Sequence, residues 1–205
     1  MSAAVLAGHW PVPFSVPWSV TKPTLSLEGQ QIVAARRDQP GAFEALVRKH
    51  QSPLFNFCLR MLGQADDAAD VAQETFVQLY SNLARLDEYE PLAPWLFRVA
   101  RNRCIDVIRR RRTVPLDDDV DYEPLDEVPL PEELVERADI QRVLSEVIAT
   151  LPPQYAEVVA LRYAADRSFA EIGVILDLEE GAARVRFHRA KALLRRRLRD
   201  ALPES

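Results

Sequence analysis

Cysteine and glycine are both scarce in this sequence, with two cysteines and six glycines among 205 residues. Cys58 and Cys104 form no CxxC pair and have no histidine at metal-ligand spacing, which argues against a zinc site and a disulfide framework. We expect both to be reduced, buried thiols of a cytoplasmic protein. Scarce glycine with clustered proline favours helices separated by abrupt breaks over a sheet protein.

Long apolar runs and catalytic patterns are missing as well. No segment approaches the roughly 20 apolar residues of a membrane span, and prolines interrupt the amino end where a signal peptide needs an unbroken apolar core. The three histidines are scattered, without a nucleophile–base pair or a glycine-rich phosphate loop nearby. The sequence therefore predicts a cytoplasmic protein that does not insert in a membrane, is not an enzyme, and holds no metal or cofactor.

Charge is present in blocks of alternating sign. Residues 98–112 contain seven arginines against one acid, and residues 184–199 contain seven arginines and one lysine without an acid. Between them, residues 117–133 contain nine carboxylates and no base. The net charge of −5 argues weakly against a nucleic-acid partner, but the two basic blocks indicate local surfaces that suit phosphate.

The first basic block coincides with a helical pattern over Pro94–Arg112. Apolar residues recur there at three- and four-residue steps on one side, and arginines occupy the other. Pro94 suits a helix start, where its missing N–H costs nothing, and Trp95 is an aromatic able to stack on an unpaired base. A solvated basic face explains the same pattern, so this pattern alone leaves nucleic-acid binding open.

The amino-acid sequence of this stretch resembles the promoter-melting helix of bacterial sigma factors, above all the small extracytoplasmic-function (ECF) type. The likeness is carried by Trp95-Leu96, Val99-Ala100-Arg101-Asn102 and Cys104-Ile105-Asp106. The resemblance implies that this helix recognises and melts the minus-ten promoter element. The residues to which it assigns this role are Trp95, Arg98, Arg101, Asn102, Arg109 and Arg112.

An amphipathic helix over Asp66–Arg85 precedes it, with Asp66 or Asp67 as its N-cap. Its predicted buried stripe is Ala72, Phe76, Leu79, Tyr80 and Leu83. By composition alone, the opposite side is interpreted as a solvated acidic face. The run Asp67–Phe76, however, resembles the sigma-factor motif that binds the clamp helices of the polymerase beta prime subunit. The resemblance implies polymerase contacts by Asp67, Asp70, Gln73, Glu74 and Gln78.

The loop at residues 86–94 joins these two helices. In sigma factors this loop pockets a base flipped out of the minus-ten element. Relatives usually carry a basic stretch there, whereas this chain has Asp87, Glu88 and Glu90 around Tyr89. Because a carboxylate accepts a hydrogen bond from a cytosine amino group, the melting role is retained and the identity of the captured base stays open.

The second basic block follows a helix-turn-helix pattern, with a short helix Ser168–Leu176, a turn at Asp177-Leu178 and a long helix to Leu202. Ser168 is expected to cap the short helix together with Glu171. The block resembles the sigma domain that reads the minus-thirty-five element, although Ala182 and Val185 stand where relatives commonly have Thr and Ser. The implied DNA contacts are Arg184, Val185, Arg186, His188, Arg189 and Lys191. A basic bundle helix is the alternative.

The sequence thus predicts an all-α protein of two helical domains. Residues 1–24 are a proline-rich extension, predicted to be disordered, with a partner-docking segment or a downstream start codon as alternatives. Residues 25–112 form the polymerase-binding and melting domain, which includes helices Gln30–Arg37 and Ala42–Leu62, the latter kinked or broken at Pro53. Residues 113–131 are an acidic linker, and residues 132–205 form the helix-turn-helix domain.

The resemblance implies a sigma factor that binds core RNA polymerase through the beta prime clamp helices and the beta flap. Its other implied partners are double- and single-stranded promoter DNA and an anti-sigma factor. One alternative is a helix-turn-helix regulator that works without polymerase, which leaves the Asp67–Phe76 run unexplained. The other is a sigma-like mimic that sequesters an anti-sigma factor, against which the retained arginines of both basic blocks argue.

Overall fold

The computed structural model describes residues 24–111, 144 and 146–201, with side chains as far as Arg199. These ranges contain helices and no strand, so the prediction of an all-α protein is confirmed. The helices are α1 (Leu27–Arg36), α2 (Ala42–Leu62), α3 (Ala65–Asn82), α4 (Leu92–Arg111), α5 (Pro153–Tyr163), α6 (Phe169–Leu176) and α7 (Glu180–Ala201). A 3-10 turn, Leu83–Arg85, follows α3. Arg112, the linker 113–131, residues 1–23 of the extension, and residues 132–143 and 145 of the predicted helix-turn-helix domain lie outside the described residues.

Local sequence explains most helix ends. Ser26 caps α1 by accepting a hydrogen bond from the Gly29 N–H, and Gly63 ends α2 in the left-handed conformation with φ 72°. A kink or break was predicted at Pro53, and there is no break, because α2 is one helix from Ala42 to Leu62. The predicted N-cap of α3 was wrong: this helix begins after Gln64 without a side-chain cap, so Asp66 and Asp67 lie in its first turn instead.

Helices α1 to α4 enclose the first part of the core. Phe57 of α2 and Phe97 of α4 meet edge to face with ring centroids 5.5 Å apart. Cys58 and Cys104 are free and fully buried, as predicted, and hydrogen bonding between the two thiols together with burial raises the pKa of Cys104. Tyr80 was wrongly assigned to the buried stripe of α3, since 58% of it is exposed and its ring only borders Phe43.

Helices α5 to α7 form the second part. Val158, Leu161 and Ile172 are fully buried, and the Phe187 ring of α7 packs against Phe169 of α6 at 5.4 Å. The second part rests on the first, because α5 packs on α2 and α6 packs on α4. The α4 helix, which carries the first basic block, is therefore covered on one side by the helix-turn-helix unit.

Candidate nucleic-acid and protein interfaces

The α3 helix presents a polar face that is continuous along its length. Asp70, Gln73 and Glu74 are exposed, and Asp67 and Gln78 are half-buried. A surface depression is lined by Asp70, Gln73, Glu74, Val77, Gln78 and Arg103. Val77 was not predicted to belong to this face, but it is 60% exposed and adds an apolar side chain to it. The face offers carboxylates, amides and one aliphatic side chain to a protein partner.

Two carboxylates of this face are paired with the neighbouring helix. Arg111 of α4 donates a hydrogen bond to Oδ2 of Asp67, and Nε of Arg103 lies 3.7 Å from Oε2 of Glu74. These pairs are partly exposed, so each stabilises the fold weakly. Their position matters more, because they fix the polar face of α3 against the basic helix α4.

The predicted minus-ten residues lie along α4 in different environments. Trp95 is half-buried and packs on the core, Asn102 and Arg109 are exposed, and Arg112 lies outside the described residues. Arg98 is exposed, but its Nη2 donates to the carbonyl oxygen of Val174 in α6 at 2.7 Å. Part of the predicted DNA-binding surface is therefore in contact with the second unit.

Glu157 of α5 is the residue on which the two predicted DNA-binding sets meet. Its side chain is 1% exposed. Nε of Arg101 lies 2.5 Å from Oε2, and Nη1 of Arg186 lies 3.2 Å from Oε1. A buried carboxylate needs cationic partners, and here each partner comes from a different predicted DNA-binding helix. Sequence reasoning missed Glu157, because an acid amid the apolar pattern of α5 gives no sign of its distant partners.

The helix-turn-helix pattern is built as the sequence predicts. Ser168 and Glu171 form a capping box at the start of α6, and Asp177 supplies the left-handed turn residue with φ 57°. The Leu178 N–H then donates to the Gly173 carbonyl oxygen at 2.9 Å. A Cβ at Gly173 would lie 2.6 Å from the Leu178 carbonyl oxygen, so the turn requires glycine at this position.

The α7 helix displays most of the predicted minus-thirty-five residues. Arg184, Val185, His188 and Arg189 are exposed, whereas Arg186 and Lys191 are half-buried. Arg184 is paired with Glu180 at 2.9 Å and its guanidinium lies 4.9 Å from the centre of the Phe169 ring. Val185 is 52% exposed and available to an apolar group such as a thymine methyl.

Helix α1 carries two further charged side chains, Arg36 and Glu28, for which no sequence pattern predicted a role. Arg36 is bound to the loop that follows α3, and Glu28 is bound to the start of α4. Both partners are far away in sequence, and no local periodicity signals such pairs. Within the described residues no cluster of side chains has the makings of a metal site, and no described helix is long and apolar enough to cross a membrane.

The architecture defines a two-part helical protein with a helix-turn-helix unit and two basic helices. Comparisons with known proteins identify the family to which this protein belongs. Residues 46–114 match the family model of Sigma-70 region 2, and residues 141–194 match that of Sigma-70 region 4. The chain is 33% identical over 181 residues to the ECF RNA polymerase sigma factor SigW of Bacillus subtilis (strain 168), an alignment covering 83% of this chain and 96% of SigW.

Solved structures show the same fold. The structure of CnrH in complex with the cytosolic domain of CnrY is similar with a TM-score of 0.65 and 25% identity, over 85% of this chain and 97% of that one. The sigma factor RpoE in complex with the anti-sigma factor NepR from Bartonella quintana is similar with a TM-score of 0.59 and 22% identity, over 78% and 98%. The chain belongs to the ECF family of RNA polymerase sigma factors. Its function is promoter recognition for RNA polymerase.

Proposed function

We propose that this sigma factor uses the polar face of α3 to bind core RNA polymerase, α4 to open the minus-ten element and α7 to read the minus-thirty-five element. The observation that carries the proposal is the presence on one chain, in order, of a Sigma-70 region 2 and a Sigma-70 region 4 match. In this proposal the four units of the chain are the extension 1–24, the melting domain 25–112, the linker 113–131 and the helix-turn-helix domain 132–205.

The polymerase contact is assigned to Asp67, Asp70, Gln73, Glu74 and Gln78. Exposure of Asp70, Gln73 and Glu74 and the adjacent apolar Val77 support this assignment, since a protein interface combines an apolar centre with a polar rim. We assign the partner as the beta prime clamp helices, and the beta flap as the partner of the second unit. The chain itself carries no catalytic residue in this proposal.

The DNA contacts follow the two basic helices. On α4, Arg98, Arg101 and Arg109 meet the strand backbone, as does Arg112, which follows α4 in the sequence. Trp95, Asn102 and the loop before them hold unpaired bases. On α7, Arg184, Val185, Arg186, His188, Arg189 and Lys191 face the major groove. Each helix alone binds its promoter element weakly. Core polymerase fixes the distance between α4 and α7, so that binding of one helix to its element raises the effective concentration of the second helix at the other element.

An anti-sigma partner and a place in the cytoplasm complete the proposal. The similar structures of CnrH and RpoE both hold a second protein, the cytosolic domain of CnrY and the anti-sigma factor NepR. We propose that a protein of this kind binds the present chain. DNA and core polymerase, the other partners, are found in the cytoplasm.

In vitro transcription from a promoter library with core polymerase tests the function. New start sites at a shared two-part motif, seen only when the protein is added, are the expected result. Promoter binding without core polymerase and without new transcripts would instead favour a polymerase-independent regulator. Binding of an anti-sigma factor without any DNA binding would favour the mimic.

The polymerase contact has its own matched pair of variants. Gln73→Lys places a cation on the polar face of α3 and should weaken core binding about tenfold, the effect of roughly 1.4 kcal/mol at an interface. Gln51→Lys makes the same change on the exposed side of α2 and should bind core polymerase like the unaltered chain. Equal core affinity of the two variants would contradict the assignment.

A further inference from the structure

We propose that Arg36 and Glu28 of α1 are positioning residues that set the conformation of the loop at residues 86–91, and thereby govern which unpaired base of the minus-ten element is accepted. The proposal rests on the proposed function, because capture of an unpaired base by this loop, which the resemblance to sigma factors implies, is one step of opening the minus-ten element. Helix α1 precedes residue 46, where the match to Sigma-70 region 2 begins. The positioning role therefore belongs to a part of the chain outside that match.

Arg36 holds the first half of the loop. Its Nε donates to the Leu83 carbonyl oxygen at 2.7 Å, its Nη1 donates to Oε2 of Glu88 at 2.8 Å, and its Nη2 donates to the Leu86 carbonyl oxygen. A single planar guanidinium thus joins the 3-10 turn, at Leu83, to two loop positions, Leu86 and Glu88. The fixed fork geometry of arginine makes this arrangement specific, and a lysine cannot reproduce it.

Glu28 holds the point where the loop becomes α4. Its Oε2 accepts a hydrogen bond from the N–H of Leu92, the first residue of α4, at 2.9 Å. The N–H groups of a first helical turn have no partner within the helix, and a carboxylate there also suits the positive end of the helix dipole. Oε1 of Glu28 is held in turn by Lys49 and His50 of α2, at 2.8 and 2.7 Å. The carboxylate therefore ties α1 and α2 to the first residue of α4.

Gly29 brings α1 directly against the middle of the loop. A Cβ at this position would lie well under 3.0 Å from the Glu88 carbonyl oxygen, closer than real Cβ contacts. The backbone of α1 therefore touches the loop backbone with no side chain between them. The loop is fixed by α1 at both ends and at its centre.

These contacts decide which loop side chains face outward. The carboxylate of Glu88 is bound by Arg36, whose hydrogen bond lowers the pKa of Glu88, so this group is committed to the loop itself. Oδ1 of Asp87 accepts the Tyr89 N–H at 2.8 Å and forms the turn. Tyr89, 48% exposed, and Glu90 remain outward. They suit a base that stacks on the phenol and donates an amino proton to the carboxylate, as cytosine does.

The test uses holoenzyme assembled from core polymerase and the full chain, with a promoter library randomised over the minus-ten element. The variants are Arg36→Gln and Gly29→Ala. The first removes the fork, and the second favours the helix while its methyl group displaces the loop. The matched control is Arg37→Gln, which removes the same charge from the exposed neighbour of Arg36.

Both variants are expected to lose about tenfold in base discrimination at one minus-ten position, with the minus-thirty-five preference and core affinity unchanged. Arg37→Gln should keep the preference of the unaltered chain. Unchanged discrimination at every minus-ten position in both Arg36→Gln and Gly29→Ala would overturn the proposal.

Hydrogen exchange of the free full-length chain separates this proposal from the proposed function. Amides of residues 86–91 should exchange faster in Arg36→Gln and Gly29→Ala than in the unaltered chain or Arg37→Gln. Unchanged exchange overturns the positioning role, whatever transcription shows. If the two variants exchange faster but the unaltered chain starts no transcript, the contact between α1 and the loop is confirmed. The role in base selection is then overturned together with the proposed function.

Discussion

At the scale of a residue, Glu28 shows how one largely buried carboxylate stabilises the fold in a pH-dependent way. Burial alone would raise its pKa, but hydrogen bonds from His50, Lys49 and the Leu92 N–H outweigh burial and lower the pKa from 4.5 to about 2. Because the folded pKa lies below the ordinary value, the ionised form stabilises the fold fully above about pH 4.5. That contribution is lost as the pH falls toward about 2.

The pH dependence of Glu28→Gln tests this point. The variant should be less stable than the unaltered chain near neutrality, and the difference in unfolding free energy should shrink by at most about 3 kcal/mol between pH 5 and pH 2. Urea unfolding at a series of pH values measures it. Glu44→Gln, on the exposed surface of α2, shows the effect of removing a surface carboxylate. A constant difference across this range would contradict the role of the carboxylate.

At the scale of the element, the α6–turn–α7 unit depends on close backbone approach at Gly173. Gly173→Ala should reduce stability by about 1–3 kcal/mol, because the added methyl group cannot fit against the Leu178 carbonyl oxygen. Gly181→Ala is the matched control, since a Cβ there meets nothing within 4 Å and alanine favours the helix. Thermal unfolding and binding of a minus-thirty-five duplex measure both variants. Equal stability of the two would show that the turn adapts freely.

Other elements were predictable from local pattern to differing degrees. The bounds of α2 and the exposure of Asp70, Gln73 and Glu74 followed from helical periodicity, and Ser168 with Glu171 formed the expected capping box. Of the kink or break predicted at Pro53, the break does not occur, because packing of α2 against α1, α3, α4 and α5 holds the helix together despite one missing hydrogen bond. Tyr80 was misplaced because periodicity cannot tell a buried stripe from its margin.

At the scale of the whole molecule, the Glu157 carboxylate binds arginines of both predicted DNA-binding helices. Because one N–H of Arg101 and one of Arg186 are bound to the buried Glu157, we expect the contact between the two units to restrict how both helices reach DNA in the proposed function. Glu157→Gln should weaken the contact between the units by about 1–2 kcal/mol and raise promoter affinity of the free protein several-fold.

Anisotropy with promoter duplex, and the radius of gyration of the free chain, measure the effect of Glu157→Gln. The promoter affinity and the radius of gyration should both be larger than those of the unaltered chain. Glu44→Gln, which removes an exposed carboxylate of α2, should leave the radius of gyration unchanged. A folded Glu157→Gln variant with weaker promoter binding would mean that Glu157 supports Arg186 rather than withholding it from DNA.

The amino-acid sequence by itself determined the all-α class, the helix-turn-helix pattern and the placement of polar and basic faces, because these follow from spacing within one helix. The tertiary structure alone decided the pairing of Arg101 and Arg186 with Glu157, and of Arg36 and Glu28 with the loop and the start of α4. Each of these pairs joins residues from different helices. Their energies depend on burial and on distances that arise only when the helices pack.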